Sequence, residues 1–257
     1  MTEPAKLLEL KGVSVHFGGV RALTNVSFSA RPGEVRAVIG PNGAGKTTLF
    51  NAITGYVRPT AGAVHFRGEQ IQGLSPHVIS ARGVRRTFQN GGLFGEMTVL
   101  ENVLTGLHTR TKSGLLGTLL GGRRARSAER ESVAYARELL KLMSIEELED
   151  RPAKDLSGGQ QRMVEITRAM STGAPLLLLD EPAVGLTPPV RDQLMAVIRR
   201  LATERGISVL LIEHAIDMVM KGADVMVVLN GGQTIAEGTP DEIRRNREVL
   251  DAYLGHA

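Results

Sequence analysis

Apolar and polar residues alternate over residues 7–17 and again over 23–30, the two-residue period of strands with one buried face. The first of these reads as an edge strand. The run EVRAVI at 34–39 leans apolar and predicts a further strand, set off by the turn Arg31-Pro32-Gly33. Residues 63–73 predict a short hairpin, and 74–82 a short helix entered at Ser75-Pro76. From 91 to 155 the period changes: 97–107 and 127–143 repeat at helical spacing. An amphipathic helix runs on from LSGGQQ to Met170, with Ser157 in N-cap position. The runs 175–182 (PLLLLDEP) and 207–212 are apolar throughout and then meet acids, the mark of parallel strands buried on both faces. Residues 187–205 predict a helix opened by prolines. Residues 224–230 and 233–237 predict a hairpin about Gly231-Gly232, and 240–254 one closing helix.

These elements predict an α/β fold. Three tyrosines, six phenylalanines and no tryptophan supply little of the aromatic material an all-β sandwich usually buries. A length of 257 residues suits one large domain or two small ones. Hydrophobic residues at 42% and charged residues at 23% are the balance of a soluble globular protein. A net charge of +4 is too mild to argue for a nucleic-acid partner, and the absence of cysteine excludes disulfides and thiolate metal sites. The N-terminal residues lack the apolar core of a signal peptide. No segment nears the ~20 apolar residues of a membrane helix, so work at a membrane would be that of a peripheral subunit. Lys112, Arg123, Arg124, Arg126 and Arg130 form a basic cluster in and beside the Gly/Arg-rich stretch 109–126. It reads either as a solvated face or as a contact for anionic lipid headgroups or a partner.

The chemistry centres on GPNGAGKTT at 40–48, which fits the phosphate-cradling pattern G-x-x-x-x-G-K-[ST] with Gly40, Gly45, Lys46 and Thr47. It lies between a strand and a helix, as that pattern requires. Glycines let backbone N–H groups face a phosphate, and the helix adds its positive end. Lys46 would reach the β- and γ-phosphates of ATP, and the Thr47 hydroxyl would ligate Mg²⁺. Asp180 ends a buried strand, where a carboxylate can hold Mg²⁺ directly or through water. Glu181, one residue on, points elsewhere and can polarise a water for attack on the γ-phosphorus. Ser157, Gly158 and Gly159 make a second anion-binding device at a helix N-terminus. One phosphate chain does not need two such devices from one chain, so the inference is a dimer with ATP between them. His214 and Gln89 carry no signal alone.

Together these residues resemble the ATP-binding-cassette ATPases. The motif order matches along nearly the whole chain: Walker A with Gly40, Asn42, Gly43, Ala44, Gly45, Lys46, Thr47 and Thr48, then Gln89, the signature at 156–160, Walker B ending in Asp180-Glu181, and His214. The resemblance implies a P-loop NTPase (RecA-like) core at about 1–90 and 156–230, with an antiparallel β edge. It also implies an inserted helical subdomain at about 91–155 and a C-terminal hairpin and helix at 231–257. It implies that Phe17 stacks on adenine and that Gln89 touches Mg²⁺ and senses the membrane subunit. Glu181 would be the general base, and His214 would contact the γ-phosphate. Ser157, Gly158, Gly159 and Gln160 would close the site of the opposite protomer. Thr187 stands where the resemblance leads one to expect Asp or Asn in the loop linking the two sites.

A finer resemblance is to the larger ATPase of branched-chain amino acid importers, carried by RTFQN, LFGEMTVLENV, EPAVGLTPP and the tail from LNGGQTIAEGTP onward. Its implied partners are a second ATPase chain, two permease subunits and, indirectly, an external substrate-binding protein, with no nucleic acid. Its implied place is the cytoplasmic face of the bacterial or archaeal plasma membrane. Similar cassettes serve urea and short amide import, and a related one lipopolysaccharide export. A non-transport cassette on DNA or ribosomes usually carries a long coiled coil or two cassettes. Here about 110 residues without a long heptad run separate Thr48 from Leu156. A module that holds ATP without chemistry would not need Glu181 and His214.

Overall fold

The computed structural model describes residues 6–87, 92–107 and 123–254. In chain order its elements are β1 (Leu8–Phe17), β2 (Val20–Ala30), β3 (Val35–Ile39), α1 (Lys46–Ile53), β4 (Ala61–Phe66), β5 (Glu69–Gln70), α2 (Pro76–Ala81), β6 (Val84–Arg86), α3 (Val99–Leu107) and α4 (Arg123–Leu142). They continue with α5 (Gly158–Ser171), β7 (Leu176–Asp180), α6 (Pro188–Arg205), β8 (Ser208–Ile212), α7 (Ile216–Gly222), β9 (Val225–Asn230), β10 (Gln233–Gly238), α8 (Pro240–Arg245) and α9 (Arg247–Leu254). The chain divides into two compact units. The first takes in residues up to 86, 175–184 and from 191 on; the second takes in 87–174 and 185–190.

The first unit holds both sheets. One is antiparallel, in the order β2-β1-β4-β5; the other runs β10-β9-β3-β8-β7-β6 and is parallel except at β10. β3, β7 and β8 are buried at every position, which is why their sequences run mostly apolar instead of alternating; the one buried cation, Arg36 of β3, pairs with Glu34 at 2.7 Å. Their register is tight: Ala37 faces Leu211 on one side and Met226 on the other, and Asp180 faces Ile212. The carboxyl ends of three neighbouring strands thus finish together, the edge of an open α/β sheet where ligands bind. Leu8, Leu23, Phe50, Ile79, Leu178 and Leu210 belong to one core cluster spanning both sheets.

Two sequence expectations need correction. β1 is not an edge strand, because it pairs with β2 on one side and β4 on the other. Alternation reports which face is buried and says nothing about how many neighbours a strand has. The closing helix is two helices, α8 and α9, parted at Asn246, whose backbone leaves the helical region (φ −77, ψ 117). Its side-chain Oδ1 then accepts from the Val249 N–H at 3.2 Å and caps α9. The short helix α7 was not foreseen, because seven residues carry too little periodicity to register.

The second unit contains α3, α4 and α5 with two 3₁₀ turns at Glu146–Leu148 and Ala153–Asp155. Asn102 is fully buried and ties the loop before α3 to that helix. Its Oδ1 accepts from the Phe94 N–H at 2.9 Å, and its Nδ2 donates to the carbonyls of Phe94 and Thr98, both at 3.0 Å. α3 meets α5 at Gly106, where an added Cβ would lie 2.1 Å from Ser171 Oγ and 2.4 Å from the Arg168 carbonyl oxygen.

That close approach sets two effects against each other. Gly106→Ala gains about 1 kcal/mol of helix propensity but overpacks a backbone contact at about 1–3 kcal/mol. The contact should win. Thermal unfolding followed by circular dichroism is expected to show a midpoint lowered by roughly 4 °C; a raised midpoint would mean the two helices can part freely.

Candidate functional site

The loop 40–45 leaves β3 at the converging strand ends and enters α1 through Gly45, whose φ of 98° lies in the left-handed region. A side chain there would also strike the Ala22 carbonyl oxygen at 2.6 Å. β2 and the β9–β10 turn therefore frame the loop: Gly232 N–H donates to the Ala44 carbonyl at 3.2 Å, and Thr24 N–H to the Gly232 carbonyl at 2.8 Å. Ala44 is buried, Asn42 and Gly43 are exposed, and α1 has no acidic residue in its first turn. The unpaired N–H groups of that turn and their positive end thus keep their full attraction for an anion.

Lys46 is buried, and its Nζ donates to the carbonyls of Gly40 at 2.7 Å and Pro41 at 3.0 Å. Burial holds its ammonium below the ordinary lysine range, while Glu181 and Asp180 pull the other way. The Thr47 side chain is exposed and Thr48 is half-buried. Asp180, also buried, accepts at Oδ2 from Arg86 Nη2 at 2.5 Å. The same guanidinium donates from Nη1 to Asn51 Oδ1 of α1 at 2.6 Å and stands 5.5 Å from the centre of the Phe50 ring.

Glu181 takes φ 48°, a left-handed conformation that a non-glycine residue adopts only where its surroundings enforce it. Its N–H donates to the Ile212 carbonyl at 2.9 Å, continuing the β7–β8 pairing for one more bond. The turn swings its carboxylate away from Asp180 toward β8, and Oε1 lies 2.9 Å from His214 Nε2. Phe17 sits at the end of β1 with its ring half exposed. Arg86 and Tyr253 were not foreseen. Tyr253 of α9 has its phenol pushed up to about 12 by burial, with the Gly40 N–H acting the other way. Nothing in the spacing of Arg86 or Tyr253 points to the loop, because strand register and tail packing bring them there.

In the second unit, Ser157 opens α5 with a reciprocal cap. Its Oγ accepts from the Gln160 N–H at 3.4 Å, and Gln160 Oε1 accepts from the Ser157 N–H at 3.0 Å. Gly158 is exposed, and a Cβ there would meet nothing within 4 Å; one at Gly159 would touch Val190 at 3.3 Å. Thr187 is exposed just before α6. Lys46, Asp180, Glu181 and His214 are thus brought together in the first unit, and Ser157, Gly158, Gly159 and Gln160 open one helix in the second. Gln89 and most of the stretch 109–126 lie outside the described residues.

The donor set fits a magnesium ion carried in on phosphate. Among the described residues no cluster of three or more acids or histidines suits a metal. One hydroxyl and one carboxylate, with substrate phosphates and water, are what Mg²⁺ takes in such sites.

The family model described as ABC transporter matches residues 23–184, and the one described as branched-chain amino acid ATP-binding cassette transporter matches 233–257. The high-affinity branched-chain amino acid transport ATP-binding protein BraF of Pseudomonas aeruginosa is 45% identical over 251 residues, 98% of each chain. Among solved structures, the ADP conformation of an ATP-binding cassette of an ABC transporter matches with a TM-score of 0.83 at 34% identity. That match covers 97% of this chain and 99% of that one. A dimeric cassette in a post-hydrolysis state, bound to ADP and Pi, matches with a TM-score of 0.74 at 27% identity, over 91% of this chain and 98% of that one. A family model that spans the phosphate loop and the acids of β7, and a relative this alike along its whole length, lead to one conclusion: the chain belongs to the ABC transporter family, as one of its ATP-hydrolysing cassettes.

Proposed function

We propose that this cassette powers the import of branched-chain amino acids. In this reading it is a peripheral subunit at the cytoplasmic face of the plasma membrane, with a RecA-like core at about 1–90 and 156–230, a helical subdomain at 91–155 and a C-terminal hairpin and helix at 231–257. It pairs with a second ATPase chain beneath two permease subunits, served by an external binding protein. The names of BraF and of the family model over 233–257 support the substrate class. Among the described residues no helix is long and apolar enough to cross a membrane, in keeping with a separate permease.

The observation that carries the chemistry is the 2.9 Å contact between Glu181 and His214 at the sheet edge that also bears Lys46. Gly40, Asn42, Gly43, Ala44, Gly45, Lys46, Thr47 and Thr48 cradle the phosphates of ATP, and Phe17 stacks on the adenine. The Lys46 ammonium moves from its own loop carbonyls to the β- and γ-phosphates. Thr47 and Asp180, with Gln89, would hold Mg²⁺, which would neutralise phosphate charge when bound. Glu181 takes the proton of the attacking water, and His214 orients that carboxylate and contacts the γ-phosphate. The in-line attack needs little covalent help from the protein beyond such positioning and charge stabilisation.

Gly158 supports a site completed by a second chain. Neither its conformation nor its own neighbours require a glycine. Close approach by an outside group does, and in this reading Ser157, Gly158, Gly159 and Gln160 face the γ-phosphate bound to the partner.

Two variants test this reading. Glu181→Gln keeps ATP binding and loses about 10²–10⁴-fold in phosphate release. Extracted gently with ATP and Mg²⁺ from its own host, that variant co-purifies with a permease pair and a second cassette. The accompanying binding protein takes up leucine, isoleucine or valine; one that takes up urea or short amides instead would replace the substrate assignment. Gly158→Val leaves the unfolding midpoint and ATP binding of the isolated chain unchanged and cuts turnover of the complex by more than about tenfold. Wild-type turnover in that variant would remove the helix N-terminus from the site.

A further inference from the structure

Glu213 follows β8 directly and precedes His214. Its side chain is 2% exposed, yet it carries a carboxylate. Among the described residues it forms no ion pair; three backbone groups hold it. Oε1 accepts from the Ala183 N–H at 2.6 Å, and Oε2 accepts from the N–H groups of His214 at 3.0 Å and Ala215 at 3.2 Å. Ala183 lies on the chain that leaves β7 through Glu181. His214 and Ala215 lie on the chain that leaves β8. One buried carboxylate therefore ties two loops that otherwise diverge, each through a different oxygen.

Those loops carry the two side chains that meet at 2.9 Å. Each has ties of its own: Val184 N–H donates to the Glu181 carbonyl at 3.3 Å, and Ile216 N–H to the His214 carbonyl at 2.9 Å. Those bonds stay within one loop. Beside the bond from Glu181 N–H to the Ile212 carbonyl and the Glu181–His214 contact itself, Glu213 joins the two loops through their backbones. A carboxylate suits the task because it accepts at both ends and donates at neither. Hydrogen bonds to an ionised acceptor are also stronger than neutral ones. The left-handed backbone of Glu181 needs such an enforcing neighbour.

We infer that Glu213 is a positioning residue for ATP hydrolysis: its buried carboxylate, holding the backbones of both loops, sets the separation of Glu181 from His214. The inference rests on the reading of Glu181 as base and His214 as its partner. Glu213 acts through the peptide groups of Ala183, His214 and Ala215, not by touching substrate.

Glu213→Gln tests it. Glutamine has the same shape, but its amide nitrogen cannot accept a hydrogen bond, so one of the two loops is released whichever way the group turns. In the assembled complex kcat for ATP is expected to fall about 10- to 100-fold, with KM for ATP within about twofold and the unfolding midpoint of the purified chain within a few degrees of wild type. A loss in kcat with binding intact is the signature of misplaced reacting groups. A kcat within twofold of wild type overturns the inference. So does a loss that follows a parallel loss of folded protein or of nucleotide binding, which marks a purely structural role. Should Glu213→Gln unfold near the assay temperature, Glu213→Asp, which keeps the charge but is one methylene shorter, is held to the same criteria. Glu181→Gln is assayed alongside. Wild-type turnover there overturns the underlying reading. Its inactivity beside a fully active Glu213→Gln overturns only the role given to Glu213.

Discussion

The register between β7 and β8 is the constraint on which the chemistry of the first unit depends. Asp180 lies opposite Ile212, and the ladder runs one bond further, from Glu181 N–H to the Ile212 carbonyl. Both strands are buried on both faces, so a slip of one residue would carry an apolar side chain of each out of the buried ladder. Hydrophobic burial thereby fixes where the polar residues emerge. Asp180 stays in the sheet and remains buried, whereas Glu181 turns out of it in a left-handed conformation. Two adjacent carboxylates acquire separate surroundings from a single peptide unit.

Charge is distributed with the same economy. Burial holds Lys46 low while two carboxylates draw it upward. It satisfies its donors on the carbonyls of its own loop. The glycine loop, the buried lysine and a helix start without an acid in its first turn together offer backbone dipoles and a cation to an anion.

Much of this was legible in the sequence because it is local. The P-loop, the acids closing 175–182 and the LSGGQ helix start each announce themselves within a few residues, and the long apolar runs place them on buried strands. What escaped is what depends on pairing. The antiparallel partners of β1 cannot be read from alternation, and Arg86 meets Asp180 only because β6 lies beside β7. Tyr253 reaches Gly40 from the far end of the chain. The break at Asn246 was readable in principle, since asparagine caps helices, but a continuous amphipathic pattern on either side hid it.

The pair between Arg86 and Asp180 bears on how this cassette can be studied. Both side chains are almost wholly buried, and a buried pair broken from one side costs about 3–5 kcal/mol, far more than the intact pair contributes. Alanine at Asp180 would strip the guanidinium of its carboxylate as well as removing the oxygen proposed above to hold Mg²⁺. Inactivity of such a variant would then mix a lost fold with a lost metal contact. Asparagine keeps the shape and one acceptor oxygen for Arg86 but not the negative charge, so an unfolding midpoint read beside turnover is what separates the two.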